Sequence, residues 1–141
     1  VALGAASAFA IEALELPVKN VLQDVKPKDF LCPGSSLHVE VNRDSPLPDG
    51  VQDDLLIIFR HHPAFEVVPS SKNEEMQVGL SYPDERIMES GWLIGETYLS
   101  RKAALIDAKQ GKGRAVLFGF SPQFRAQTDA TFKLFFNCLV G

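Results

Sequence analysis

Three polar side chains near the end of the chain form the pattern best suited to holding a ligand. In GKGRAVLFGFSPQFRAQT, residues 111–128, Gln123, Arg125 and Gln127 alternate with Phe124 and Ala126. In an extended segment that alternation sends all three to one side. An arginine there can grip a carboxylate through two parallel N–H bonds, so the set is a candidate binding site for a small anion or other ligand. The competing reading is structural: the same side chains satisfy backbone groups where an apolar run turns into a helix. No acid, base or nucleophile stands beside them, and the structural reading is preferred.

The remaining chemistry-bearing residues are dispersed. Cys32 lies in FLCPGSS, with a proline directly after it and a strand pattern beyond. A catalytic thiol on an α/β sheet belongs at a strand-to-helix elbow with a histidine at hand. A hydrolase using Cys32 as its nucleophile therefore needs a histidine that the sequence does not place. Cys138 falls on an apolar helix and reads as inert. The two cysteines lack zinc-site spacing and read as idle thiols, although a disulfide between them needs only the right geometry. His61 and His62 are adjacent, so their side chains diverge, and His38 stands alone among carboxylates. All three read as surface histidines rather than metal ligands. The GSS at 34–36, the GKG at 111–113 and the GFSPQF at 119–124 lack the rest of a serine-nucleophile, phosphate-loop or dinucleotide motif. No catalytic residue, metal or cofactor is assigned.

The elements that must position these residues follow from periodicity. VALGAAS reads as a strand ending in a glycine turn that opens a helix, with Ala8, Ile11, Ala13 and Leu14 as its apolar stripe. Residues 18–34 read as irregular, broken by Pro27 and Pro33. SLHVEVN alternates, with Leu37, Val39 and Val41 on one face. LLIIF at 55–59 has the form of a strand buried on both faces, and 65–68 and 76–82 read as further strands. A short helical segment is expected at 96–100. Residues 103–108 and 114–120 pair as an antiparallel hairpin around KQGKG. From 128 to 139, Phe132, Phe135, Phe136 and Leu139 fall at i, i+3, i+4 and i+7, the buried face expected of a terminal helix.

Composition bounds the rest. The 141 residues suffice for one domain, 1–141, with its own core. A hydrophobic share of 45% with 23% charged residues is that of a globular protein. The net charge of −4, with scattered Lys and Arg, argues against a nucleic-acid partner. No run of about 18 apolar residues is present to span a membrane. A first residue inside a strand pattern leads to the expectation that the chain is a fragment of a longer protein.

The segment GKGRAVLFGFSPQFRAQTDATFKLFFNCL, residues 111–139, resembles the C-terminal domain of bacterial zinc carboxypeptidase-like proteins of the metallocarboxypeptidase A superfamily. There a G-x-G-R-x-V-L-F-G-F-x-P-Q-x-R-x-Q-T run precedes a T-F-K-L-L-F-N helix. VALGAAS, CPGSSLHVEV, SPLPDGV and GWLIGETYLSRKAALID extend the likeness in order over nearly the whole chain. The resemblance implies part of a flavodoxin-like, class I glutamine amidotransferase-like α/β sandwich, with a mixed sheet and a C-terminal hairpin and helix. It also implies a non-catalytic accessory domain whose partner is an upstream peptidase domain of the same polypeptide, with a homodimer as a further possibility. The zinc ligands and catalytic glutamate would lie in that upstream domain, and the parent would be a periplasmic or secreted hydrolase. The amidotransferase cysteine and His-x-Glu signature are missing, so no catalytic role is carried over. The alternative is a ligand-binding module built on Arg125.

Overall fold

In a computed structural model, residues 1–70, 74–122 and 129–140 are described. The chain forms an α/β sandwich with a mixed, curled sheet. Its strands are β1 (Ala2–Leu3), β2 (Val18–Asn20), β3 (Ser35–Val41), β4 (Asp54–Phe59), β5 (Phe65–Val67), β6 (Glu74–Ser81), β7 (Met88–Ser90), β8 (Ala103–Gln110) and β9 (Gly113–Phe118). Helix α1 spans Ala6–Ala13, α2 spans Asp129–Val140, and a 3-10 helical turn covers Glu96–Tyr98. The main strand order is β1-β9-β8-β6-β3-β4, with β2 and β5 paired beside β8 and with β7 on β3. Strand β1 runs parallel to β9, with Leu3 opposite Phe118. The other pairings are antiparallel.

The two helices lie on opposite faces because side chains alternate along β8 and β9. Ile106, Ala108 and Leu117 share a cluster with Phe65 and with Ala10 and Ile11 of α1. Leu105, Val116 and Phe118 share another with Leu134, Phe135 and Cys138 of α2. The expected hairpin is β8–β9, with Gln110 opposite Gly113. Leu37 and Val39 are fully buried, as their alternation requires. Strand β4 departs from the two-face burial expected of it: Leu55, Ile57 and Phe59 are buried, whereas Leu56 and Ile58 are only half-buried. The irregular stretch 18–34 contains β2, held by the antiparallel partner β5. Pairing supplied from outside the segment makes it a strand.

Both helices turn inward a face rotated from the one their apolar spacing suggests, while Ile11 of α1 and Phe135 of α2 stay against the core. On α2, Phe136 and Leu139 are 58% and 55% exposed, and Thr131, Leu134 and Cys138 are buried instead. The shift is one residue, about 100° around the helix. Polar anchors fix it: Thr131 Oγ1 donates to the Pro122 carbonyl at 2.6 Å, and Asn137 Nδ2 to those of Leu47 and Asp49, both at 3.0 Å. On α1 the one fully buried residue is Ser7, while Ala8, Ala13 and Leu14 are exposed. The Ser7 hydroxyl donates to the carbonyls of Phe118 (2.9 Å) and Ala2 (3.1 Å), tying the helix to the β1–β9 pair.

On the wet face of β3, His38 sits among carboxylates. Its Nε2 lies 2.6 Å from Glu89 of β7 and its Nδ1 3.1 Å from Asp54 of β4. The bond to Glu89, then that to Asp54, holds the imidazole pKa above its ordinary value. Glu40, Glu85 and Arg86 line the same open groove. A pKa raised on folding contributes stability that is complete below the unfolded value of about 6.5 and is lost as pH rises through the folded one. The site is solvent-screened, so the effect is small. Thermal melts from mildly acidic to mildly alkaline pH are expected to show a decline on the order of a few degrees that His38→Gln flattens. Equal slopes in the two proteins would refute this.

Candidate functional site

The triplet Gln123, Arg125 and Gln127 lies outside the described residues. The site that the described residues do assemble is a cleft lined from the turn after β1, the stretch between β2 and β3, and the loop after β4. Its volume is about 330 Å3, and its lining includes Ala5 at the N-cap of α1, Ala8 within it, Asn20 of β2, Cys32, His61 and His62. Leu22, Val25 and Phe30 form an apolar wall.

The strand–glycine turn–helix read from VALGAAS forms the floor. Gly4 follows β1 with φ at +52°, a left-handed conformation that costs a residue bearing a Cβ about 1–2 kcal/mol. Its N–H donates to the Phe118 carbonyl at 2.9 Å, and its own carbonyl accepts from the Ser7 N–H at 3.0 Å. The turn is thus bonded to the sheet on one side and to the helix on the other. A Cβ placed on Gly4 would lie 3.0 Å from His62 Nδ1 and 3.2 Å from its Cε1. The imidazole edge therefore rests directly on the turn.

His62 reaches this place from the loop after β4. His61, just before it, has a left-handed φ of +52° and sends its N–H to the Cys32 carbonyl at 3.4 Å. The Phe59 ring meets the His62 ring edge-on, with centroids 5.8 Å apart. Burial, and secondarily the neighbouring His61, lowers the His62 pKa. His62 is therefore neutral at pH 7, with one ring nitrogen a donor and the other an acceptor. Asn20 fixes the opposite rim: its Oδ1 accepts from the N–H groups of Leu22 (3.1 Å) and Ala64 (3.3 Å).

The structure thus supplies the histidines that the sequence could not place near Cys32, since all three residues line one cleft. The thiol itself is turned inward. Cys32 is 2% exposed, and its Sγ lies 3.8 Å from the Phe59 carbonyl, to which it donates. Burial raises its pKa, outweighing the opposing effect of Ser35. Both cysteines are free and buried, and burial pushes the Cys138 thiol up to about 11. No group of three His, Cys, Asp or Glu side chains suited to a metal occurs among the described residues. No helix among them is long and apolar enough to cross a membrane.

The glycine turn was legible in the sequence, but its contact with His62 was not. The two residues are far apart along the chain, and a lone imidazole carries no spacing signal. Searches against protein-family models, curated proteins and solved structures gave no match to this chain.

Proposed function

We propose that this chain is a non-catalytic accessory domain of a zinc carboxypeptidase-like protein, serving in packing, oligomerisation or substrate recognition. The parental context rests on the ordered likeness of residues 111–139 and the four upstream stretches. The observation that carries the non-catalytic half is the cleft's own chemistry. A strand-to-helix turn is where an α/β hydrolase mounts its nucleophile, and here that position is Gly4, with no side chain to react. The thiol nearest the histidines is buried, bonded to a backbone carbonyl and raised in pKa, which is the opposite of an activated cysteine. A small-ligand binding module is the second reading, and it rests on the alternation of Gln123, Arg125 and Gln127 in the sequence. Arg125 remains the residue proposed to hold an anionic group in a module centred on the 123–127 triplet.

Treating the intact chain with iodoacetamide at neutral pH tests the non-catalytic half. Cys32 and Cys138 are expected to alkylate at least about tenfold more slowly than after unfolding in urea. Rapid stoichiometric modification of Cys32 in the folded chain would overturn the reading. The parental half is tested in the gene. A reading frame continuing upstream of Val1 into a zinc carboxypeptidase-like domain is expected, and a start codon directly before Val1 would sink it.

A further inference from the structure

We propose that the free edge of strand β4 is the contact between two copies of this chain, which pair antiparallel across a two-fold axis and join their sheets into one. The proposal rests on the oligomerisation option of the reading above, gives it a surface, and is independent of the parental assignment.

Strand β4 ends the sheet: β3 lies on one side of it, and the strand order goes no further on the other. Which backbone groups face outward follows from the ladder. The Val41 N–H donates to the Asp53 carbonyl at 3.1 Å, and in the same register Val39 faces Leu55 and Leu37 faces Ile57. Antiparallel bonding alternates. Leu55, Ile57 and Phe59 therefore bond to β3, whereas Leu56 and Ile58 turn their N–H and carbonyl groups to the open side. No backbone bond reaches them there from the described residues. Such an edge is usually protected by Pro, Lys, a bulge or a covering loop. DLLIIF holds neither Pro nor Lys, and its register with β3 runs unbroken from Asp54 to Phe59. An apolar, regular edge of this kind calls for a strand to cover it.

The charges at its two ends select the occupant. Asp54 opens β4 and Arg60 directly follows it, and both are exposed. In an antiparallel pair of identical strands centred on Ile57, Asp54 of each copy falls opposite Arg60 of the other, and Leu56 opposite Ile58. Opposite charges and paired apolar side chains both stabilise a ladder at such positions. Sliding the strands by two residues either way keeps the bonding pattern but sets Asp54 against Ile58, or Arg60 against Leu56. The strand is thus complementary to itself in one register, as a two-fold interface requires. The surroundings of Asp54 add to this. Glu40, Asp53 and Glu85 line the groove beside it, with Arg86, so the guanidinium of the second copy arrives at an end rich in carboxylates.

Sedimentation velocity and hydrogen exchange on the intact chain are the test. A monomer–dimer equilibrium is expected between about 1 and 100 μM, with the Leu56 and Ile58 amides gaining protection as the dimer fills. Arg60→Asp sets two carboxylates face to face at each end and should weaken dimerisation about tenfold or more. Asp54→Arg/Arg60→Asp restores opposite charges across the axis and should return the affinity to within about threefold of the native value. Ile58→Pro removes an outward N–H without touching the β3 ladder and should leave a monomer. If that variant does not fold, the charge reversals decide. A native chain monomeric over the whole range, a dimer indifferent to Arg60→Asp, or a double variant no better than the single would each overturn the proposal. The first of these outcomes assigns the edge to a strand of another protein. It leaves the non-catalytic reading to its own thiol test, and rapid alkylation of Cys32 would sink that reading without touching the dimer.

Discussion

Replacing Gly95 with alanine is expected to destabilise the protein by about 2–5 kcal/mol, combining left-handed strain with overpacking. Gly95 has φ at +81° and opens the 3-10 turn, accepting the Tyr98 N–H at 3.0 Å. An added Cβ would be driven into the Asp29 carbonyl oxygen and would lie 3.2 Å from the Phe30 Cα. These are backbone atoms, so no side-chain rotation relieves the clash. The segment also cannot move away freely, because Leu31 and Ile94 exchange backbone bonds of 3.0 and 2.9 Å next door. Phe30 and Cys32 line the cleft, so its wall should shift with the loop. Urea denaturation with an unchanged slope, or a fall in Tm of roughly 10 °C or more, is the expected readout. Gly34→Ala serves as the control, since a Cβ there meets nothing within 4 Å. A Gly95→Ala protein as stable as the Gly34→Ala control would refute the account.

Arg114→Met is expected to cost about 2–4 kcal/mol. Asp107 is 2% exposed within the otherwise apolar centre of β8, and Arg114 Nε donates to its Oδ1 at 2.8 Å. Asp107 faces Val116 across the hairpin, so Arg114 reaches it diagonally from two residues away on the same face. Breaking a fully buried pair from one side typically costs about 3–5 kcal/mol, because a carboxylate is left without compensation. The Arg114 side chain is 25% exposed, and water entering beside it lowers that figure. The double variant Asp107→Leu/Arg114→Met removes both charges and should recover most of the loss, since apolar replacements of a buried pair are often neutral or better. Equal losses in the single and double variants would show that the packing of the Arg114 stem, and not the stranded charge, is what matters.

Local pattern carried much of the fold. The hairpin of β8 and β9 was readable because two apolar runs flank KQGKG, and the opening turn because Gly4 interrupts an apolar start. The alternation in SLHVEVN placed Leu37 and Val39 inward. Helix faces were not readable in the same way. Phe132, Phe135, Phe136 and Leu139 make a better apolar stripe than the residues α2 actually buries. Thr131, Leu134 and Cys138 win because the hydrogen bonds of Thr131 and Asn137 to distant carbonyls outweigh a 100° preference between two apolar faces. Ser7 is buried in α1 for the same kind of reason, since its hydroxyl finds two carbonyls of the sheet.

The sequence by itself determined the α/β class, the turn at Gly4, the terminal helix and the poor context of Cys32 for catalysis. Each depends on neighbours within a few residues, where backbone sterics and period dictate the outcome. Tertiary structure alone decided that His62 lies on Gly4, that Cys32 shares their cleft with its thiol turned away, and that His38 sits between Asp54 and Glu89. Those contacts join residues whose separation leaves no periodic trace. They arise from strand pairing and loop closure, which bring distant backbone together and set where the side chains meet.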